Sequence, residues 1–294
     1  MLNCSEPEVR SQALKSHGSA GGYDESHMTA FPRLAILVAA CWAACSTKAY
    51  SDEKDKPVFP GADWERVAIP ESIGYSSTKL EALRGWLKTQ ATTSMLVSVG
   101  GRILFEYGDL RYVSKVASVR KSILGMMYGK YVANGTIDLQ NKVKDLGLED
   151  VQKFLPREEA ATLEMLLMSP SGVYLPEGAP DPDPTDHPPA RGSQYPGSFF
   201  YYNGWDFNAA GTAFEKLTGK NMYDALQIDL ADPIGMQDYD KKRQKKNSRL
   251  PYTVHPEYAM YLSTRDMARI GLLMLRGGEW NDKRRCPSTG ANSP

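Results

Sequence analysis

Residues 116–139 read VASVRKSILGMMYGKYVANGTIDL, and the fold turns on how this stretch is understood. Ile123, Leu124, Met126, Met127, Tyr131 and Val132 recur at helical spacing after Ser118, and Asn134-Gly135 supplies a C-terminal stop. Their spread predicts a helix over 118–134 that is buried on nearly all sides. On such a helix a serine and a lysine three positions apart share one face, close enough to hydrogen-bond. A free lysine, with pKa near about 10.4, is protonated at neutral pH, so it acts as a base only where burial or positive potential lowers that value. The apolar helix meets the first condition. Its N-terminus adds positive potential and can direct backbone N–H groups at a developing oxyanion. Ser118 and Lys121 therefore read as nucleophile and base.

The S-x-x-K spacing occurs twice more, at Ser51–Lys54 and Ser76–Lys79. The first lies in a charged, Pro-bearing segment and the second at a solvated helix start, where capping explains the serine. Only the Ser118 match stands where an apolar helix emerges after a hairpin. That hairpin is read from Met95–Val99 and Arg102–Tyr107, two β-rich runs around Gly100-Gly101. Ahead of it, Ser77-Thr78 followed by Glu81 predicts the start of a helix carrying Leu80, Leu83, Trp86 and Leu87 on one apolar face. Downstream, Thr162 is positioned to cap a short helix with Leu163, Leu166 and Leu167. Further helices are expected at 205–217, 222–230 and 264–275, the last opened by Ser263 and Asp266 at capping-box spacing. The Pro-, Asp- and Gly-rich stretch 176–196 is too long for a simple connection and reads as a functional surface loop. The basic run 241–246 reads as a solvated loop.

Composition narrows the chemistry. The chain has 294 residues, with 35 acidic and 35 basic side chains, so no global field draws it to nucleic acid or an anionic surface. A small-molecule or peptidoglycan-type substrate is the expected partner. Cys4, Cys41, Cys45 and Cys286 leave the intervening 240 or so positions without a thiol, which excludes a disulfide framework there. His17, His27, His187 and His255 have no metal-sharing spacing, so neither a metal nor a cofactor is expected. No G-x-S-x-G elbow is present, which argues against an α/β-hydrolase.

Residues 28–49 combine Arg33, an apolar stretch from Leu34 to Ala44 and small residues, the shape of an export signal. The stretch is shorter than the roughly 20 residues a spanning helix needs. Val38-Ala39-Ala40-Cys41 resembles a lipobox, so membrane attachment is expected only through a lipid on Cys41, with Cys45 and Thr47–Ala49 as rival processing sites. The expected location is exported: periplasmic, secreted or lipid-anchored. The organisation predicted is a polar extension over 1–27, the export segment over 28–49, a linker over 50–63, a folded domain over 64–280 and a divergent tail over 281–294.

Val116 to Leu124, followed by Asn134-Gly135-Thr136-Ile137-Asp138-Leu139, resembles the first motif of the serine β-lactamase and penicillin-binding-protein family. The likeness is to its class C, D-alanyl-D-alanine peptidase and esterase branch. Leu166 to Gly172 is similar to that branch's next landmark, and Pro196 to Gly219 resembles the segment carrying a Tyr-x-Asn motif. Tyr201-Tyr202-Asn203 invites two registers. Counting from Pro196-Gly197 and back from Gly211 puts the family tyrosine at Tyr202 and its asparagine at Gly204, with Tyr201 the alternative. The resemblance implies an α/β (α+β) fold, β-lactamase/transpeptidase-like, with an antiparallel sheet flanked by helices plus a helical subdomain. It implies acyl transfer with Ser118 as nucleophile, Lys121 as base, Tyr202 relaying the proton, and Asn203 as a substrate-binding amide compensating for Gly204. The family's third motif, Lys-Thr-Gly or His-x-Gly, has no counterpart; Ser288-Thr289-Gly290 matches by letters only. The resemblance thus predicts a sheet short of its C-terminal strands, and a non-catalytic exported binding protein is the rival expectation.

Overall fold

The computed structural model describes residues 58–180 and 187–285. The proposed export segment and lipobox lie outside them, as does the Ser288–Gly290 look-alike. Helix α1 (Ser77–Leu87) opens the domain, and its cap is Ser76, whose Oγ accepts from the Lys79 amide. The expected box at Ser77 is displaced by one residue because the Glu71 carboxylate accepts from the Ser77 amide at 2.7 Å. Glu81 instead pairs with Arg84. Leu87 is buried and Leu80 and Leu83 are half-buried, whereas Trp86 faces solvent.

Strands β1 (Ser94–Val99) and β2 (Arg102–Gly108) form the expected hairpin, turning on Gly100 at φ +58° and Gly101 at φ +88°. Two successive positive φ values are what a two-residue turn between right-twisted strands demands. The outer edge of β2 is covered by residues assigned to the linker: Val58 donates to Gly100, and Glu65 and Val67 bracket Ile103. Phe59 stacks near Trp280 at 5.1 Å, so the ordered chain begins before Trp64.

Four two-stranded antiparallel ladders replace one continuous sheet among the described residues. Besides the hairpin, β3 (Val113–Lys115) pairs with β6 (Tyr261–Ser263), and β4 (Lys245–Arg249) with β5 (Thr253–Ala259). A short β7 (Glu279–Trp280) pairs with β8 (Lys283–Arg284) across Asn281 and Asp282, both at positive φ, which carries ordered structure past the predicted end at Trp280. The basic run 241–246 divides: Lys241–Arg243 make a 3-10 turn, while Lys245 and Lys246 begin β4 with exposed side chains. Lysines suit an edge strand, and Lys246 reaches Glu215 at 2.6 Å.

Helix α2 (Val119–Ala133) carries one buried stripe, Arg120, Ile123, Leu124, Met127, Tyr128 and Tyr131. The opposite face, with Ser122, Gly125 and Lys130, is open to solvent, so the expectation of burial on nearly all sides is corrected. Helix α3 (Leu163–Met168) is short and capped by Thr162 as expected. The enclosed helix is α4 (Gly204–Thr218), ten of whose residues are buried. Tyr128 donates to the Ala210 carbonyl at 2.6 Å, and Tyr128 and Tyr131 meet Phe214 edge-on at 5.4 and 5.2 Å. Trp205 donates to Asp150, which also accepts from Thr253 and the Val254 amide. Helix α5 (Met222–Leu226) widens into a π turn over Gln227–Ala231 and closes at Gly235. Helix α6 (Thr264–Leu275) follows β6. Ser263 caps it, but Asp266 turns to the Gln237 and Asp238 amides instead of completing the box. No helix among the described residues is long and apolar enough to cross a membrane.

Contact between α4 and β5 is closest at Gly211, where an added Cβ would lie 2.3 Å from the Tyr258 ring. Tyr258 is buried and cannot swing aside. Gly211→Ala is expected to lower unfolding free energy by about 1–3 kcal/mol through overpacking, measurable by chemical denaturation.

Candidate active site

Ser118 sits where β3 turns into α2. The Val116 amide is pinned to the Met260 carbonyl at 3.0 Å, and Ala117 takes φ +44°, a left-handed conformation that is uncommon for a residue with a Cβ. This turn brings Ser118 out exposed, with helical dihedrals already in place. Its side chain makes no capping bond, which leaves the hydroxyl available to a ligand.

One turn on, Lys121 Nζ donates to Tyr202 Oη at 2.6 Å and lies 3.8 Å from the centre of the same ring. Burial pushes the Tyr202 phenol up. Hydrogen bonds from Lys121 and Ser118, with the charges of Lys121 and Arg120, outweigh it and hold Tyr202 below the usual tyrosine value. A phenol so held gives up its proton more readily and can receive one from a nearby hydroxyl. Tyr201, the alternative in sequence, faces away: its amide donates to Ser169, and its ring meets Tyr174 edge-on at 5.7 Å. The three residues brought together are thus Ser118, Lys121 and Tyr202.

Asn203 has another task. Its Oδ1 accepts from the Asp206 amide at 2.8 Å, capping α4, and its Nδ2 reaches back to the Tyr201 carbonyl. At Gly204, a Cβ would fall 1.4 Å from Glu177 Oε2, so the Glu177 carboxylate occupies the space that a side chain at 204 would need. Glu177 is held there by its neighbour: Gly178 packs against the backbones of Asn247, His255 and Glu257. Behind them Ser171 donates to the fully buried Asp206 at 2.7 Å. Burial drives the Asp206 carboxyl well above its usual range, against the bonds from Ser171 and Asn203 and the charge of Lys121.

A group the sequence does not reveal lies beneath the nucleophile. Glu257, on β5, accepts from Lys115 at 3.0 Å and from Asn247 at 2.7 Å, and its other oxygen is 3.6 Å from Arg120. Arg120 also donates to Asn208 on α4 at 3.0 Å. One carboxylate therefore grips the chain three residues before Ser118 and two residues after it. Burial raises the Glu257 carboxyl, but Asn247, Lys115 and Arg120 pull it below its ordinary range. Burial also pulls Arg120 down, with Glu257 opposing. Arg120 stands inside the S-x-x-K stretch, yet nothing local marks Glu257, 137 positions further on, as its partner. Among the described residues no group of three or more His, Cys, Asp or Glu side chains could hold a metal ion.

The family model for Beta-lactamase matches residues 90–285, well over half of the chain and including all of these groups. The chain belongs to the beta-lactamase family. No curated protein matches it significantly. Among solved structures, "Putative 6-aminohexanoate-dimer hydrolase from Bacillus anthracis" aligns with 21% identity over 81% of this chain and 68% of that one, at a TM-score of 0.55. A structure titled "putative beta-lactamase" from Bacteroides dorei aligns with 20% identity over 73% and 68%, at 0.54. A penicillin binding protein from Bacillus halodurans aligns with 16% identity over 67% and 74%, at 0.50. These likenesses establish the β-lactamase/transpeptidase-like fold. In this family member the helix-borne S-x-x-K and the tyrosine converge on one exposed spot.

Glu257→Ala should leave Arg120 and Lys115 without their carboxylate and cost about 3–5 kcal/mol, the typical penalty for breaking a buried pair. Glu257→Gln, which can still accept from Asn247, should recover part of that loss. Urea denaturation of the three proteins measures both.

Proposed function

We propose that the protein is a serine hydrolase working through an acyl-enzyme on Ser118. The observation that carries this reading is the 2.6 Å contact between Lys121 Nζ and Tyr202 Oη beside a serine hydroxyl not engaged in capping. Ser118 Oγ attacks a carbonyl carbon, and its proton passes to the Lys121–Tyr202 pair. The positive N-terminal end of α2 favours the negative charge that develops on the carbonyl oxygen. As the tetrahedral intermediate collapses, the pair returns the proton to the leaving group. Water, deprotonated by the same pair, then attacks the ester and releases Ser118. No step needs a cofactor.

The substrate is a β-lactam, a D-alanyl-D-alanine peptide or an ester, in keeping with the class C, peptidase and esterase branch that the sequence resembles. Asn203 is expected to contribute through the α4 cap, which fixes the direction of Tyr202, more than by touching substrate. Export is part of the same reading, on the strength of residues 28–49. A purely binding role would give Tyr202 and Lys121 no reason to meet beside an uncapped serine.

Incubation with a fluorescent penicillin and with a fluorophosphonate, followed by peptide mass spectrometry, tests the proposal. The expected result is an adduct on Ser118 that disappears in Ser118→Ala. Lys121→Ala and Tyr202→Phe should each slow labelling by about 10²–10⁴-fold. Folded protein that forms no adduct with either reagent, or an adduct on another residue, would overturn it.

A further inference from the structure

The chain segment leading to Tyr202 is fixed at two points. The Gly197 amide donates to Pro170 at 2.7 Å and the Tyr201 amide to Ser169 at 3.0 Å. Between and beyond these pins the side chains alternate. Tyr201 turns inward against Tyr174 and Asn203 turns inward to cap α4, while Phe200 and Tyr202 turn outward. On such a strand-like segment residues two apart share a face. Phe200 therefore emerges on the side where Tyr202 meets Lys121. It is 66% exposed, Phe199 beside it is 45% exposed, and Val119, which follows the nucleophile directly, is 49% exposed. Three uncovered apolar side chains bordering one reactive group are not the scattered apolar residues of an ordinary surface.

Charge points the same way. The cations within three positions of Ser118 are Lys115, Arg120 and Lys121, and each is engaged. Lys115 is held by Glu257, Arg120 by Asn208 and Glu257, and Lys121 by Tyr202. The nucleophile's own neighbourhood thus offers an aromatic surface but no uncommitted cation for a substrate carboxylate.

We infer that Phe200, with Phe199 and Val119, forms an acyl-binding platform, and that the preferred substrates are uncharged esters or amides with an apolar alkyl or aryl acyl group. The inference rests on the acyl-enzyme reading and narrows it. The acyl carbon bonds to Ser118 Oγ as the alcohol or amine leaves with the proton relayed through Tyr202, and the acyl tail lies along Phe200. Phe200 acts on selectivity and takes no part in proton transfer.

The test uses the full chain and Phe200→Ser with p-nitrophenyl esters from acetate to octanoate. In the wild type, kcat/KM should rise roughly fourfold per methylene, the factor for burying one CH2, until the platform is covered. In Phe200→Ser the hexanoate-to-acetate ratio should fall by about tenfold or more. Alkyl fluorophosphonates of increasing chain length give an independent readout through Ser118 labelling rates, with a fluorescent penicillin as the anionic comparison. A ratio that is flat in the wild type, or unchanged in Phe200→Ser, overturns the platform while a Ser118 adduct keeps the acyl-enzyme reading intact. A penicillin that labels faster than every alkyl reagent overturns the platform as well. A large fall in melting temperature in Phe200→Ser means that Phe200 packs against another part of the chain, and also overturns it. Absence of any Ser118 adduct removes the acyl-enzyme reading and the platform with it.

Discussion

The packing of α2 against α4 is the constraint from which the site follows. Tyr128 and Tyr131 lock onto Phe214 and the Ala210 carbonyl, so the two helices meet in a fixed register, and the N-terminal end of each presents its functional residue. Ser118 and Lys121 stand at the start of α2, and Tyr202 stands two residues before the start of α4. Neither helix alone forms the constellation. A shift of either by one residue would rotate its contribution by about 100°, the angular step of a 3.6-residue turn. The closeness of α4 to β5 at Gly211 and the Asn203 cap remove the remaining freedom of the tyrosine.

Charge organises the same region on two levels. Below the surface, Glu257 joins the flanks of the nucleophile and Arg120 joins them to α4 through Asn208, so β3, α2, α4 and β5 are tied by polar contacts. At the surface, Lys121 and Tyr202 share a proton-bearing contact, and the buried Arg120 adds positive potential that favours the phenolate. Glu177 against Gly204 completes the arrangement by filling with a carboxylate the position from which an amide would otherwise project.

Much of this was legible in the sequence, for local reasons. The Gly100-Gly101 hairpin, the Thr162 and Ser263 caps and the span of α6 follow from turn and capping chemistry that acts over a few residues. The choice of Ser118 over two other S-x-x-K matches came from context, and the choice of Tyr202 over Tyr201 from counting along the segment. What escaped depends on distant contacts. The side of α2 that would be open could not be read because Met126 and Val132 extend its apolar arc, while the helix that is enclosed, α4, carries Asp206 and Asn208 in its middle. Those two polar residues are buried because Ser171 and Arg120 meet them from elsewhere. Glu257 gave no signal for the same reason, and the Ser76 cap was misplaced by one residue because Glu71 reaches forward to Ser77.

The central claim is that Tyr202 is held in a state from which it can accept the Ser118 proton. Carbon-13 NMR of protein labelled at tyrosine Cζ, with Tyr202 assigned by its loss in Tyr202→Phe, measures this directly across a pH titration. The account predicts a midpoint below the ordinary tyrosine value of about 10, moving up when Lys121 is replaced by Ala. A midpoint at or above that value, insensitive to Lys121, would contradict it.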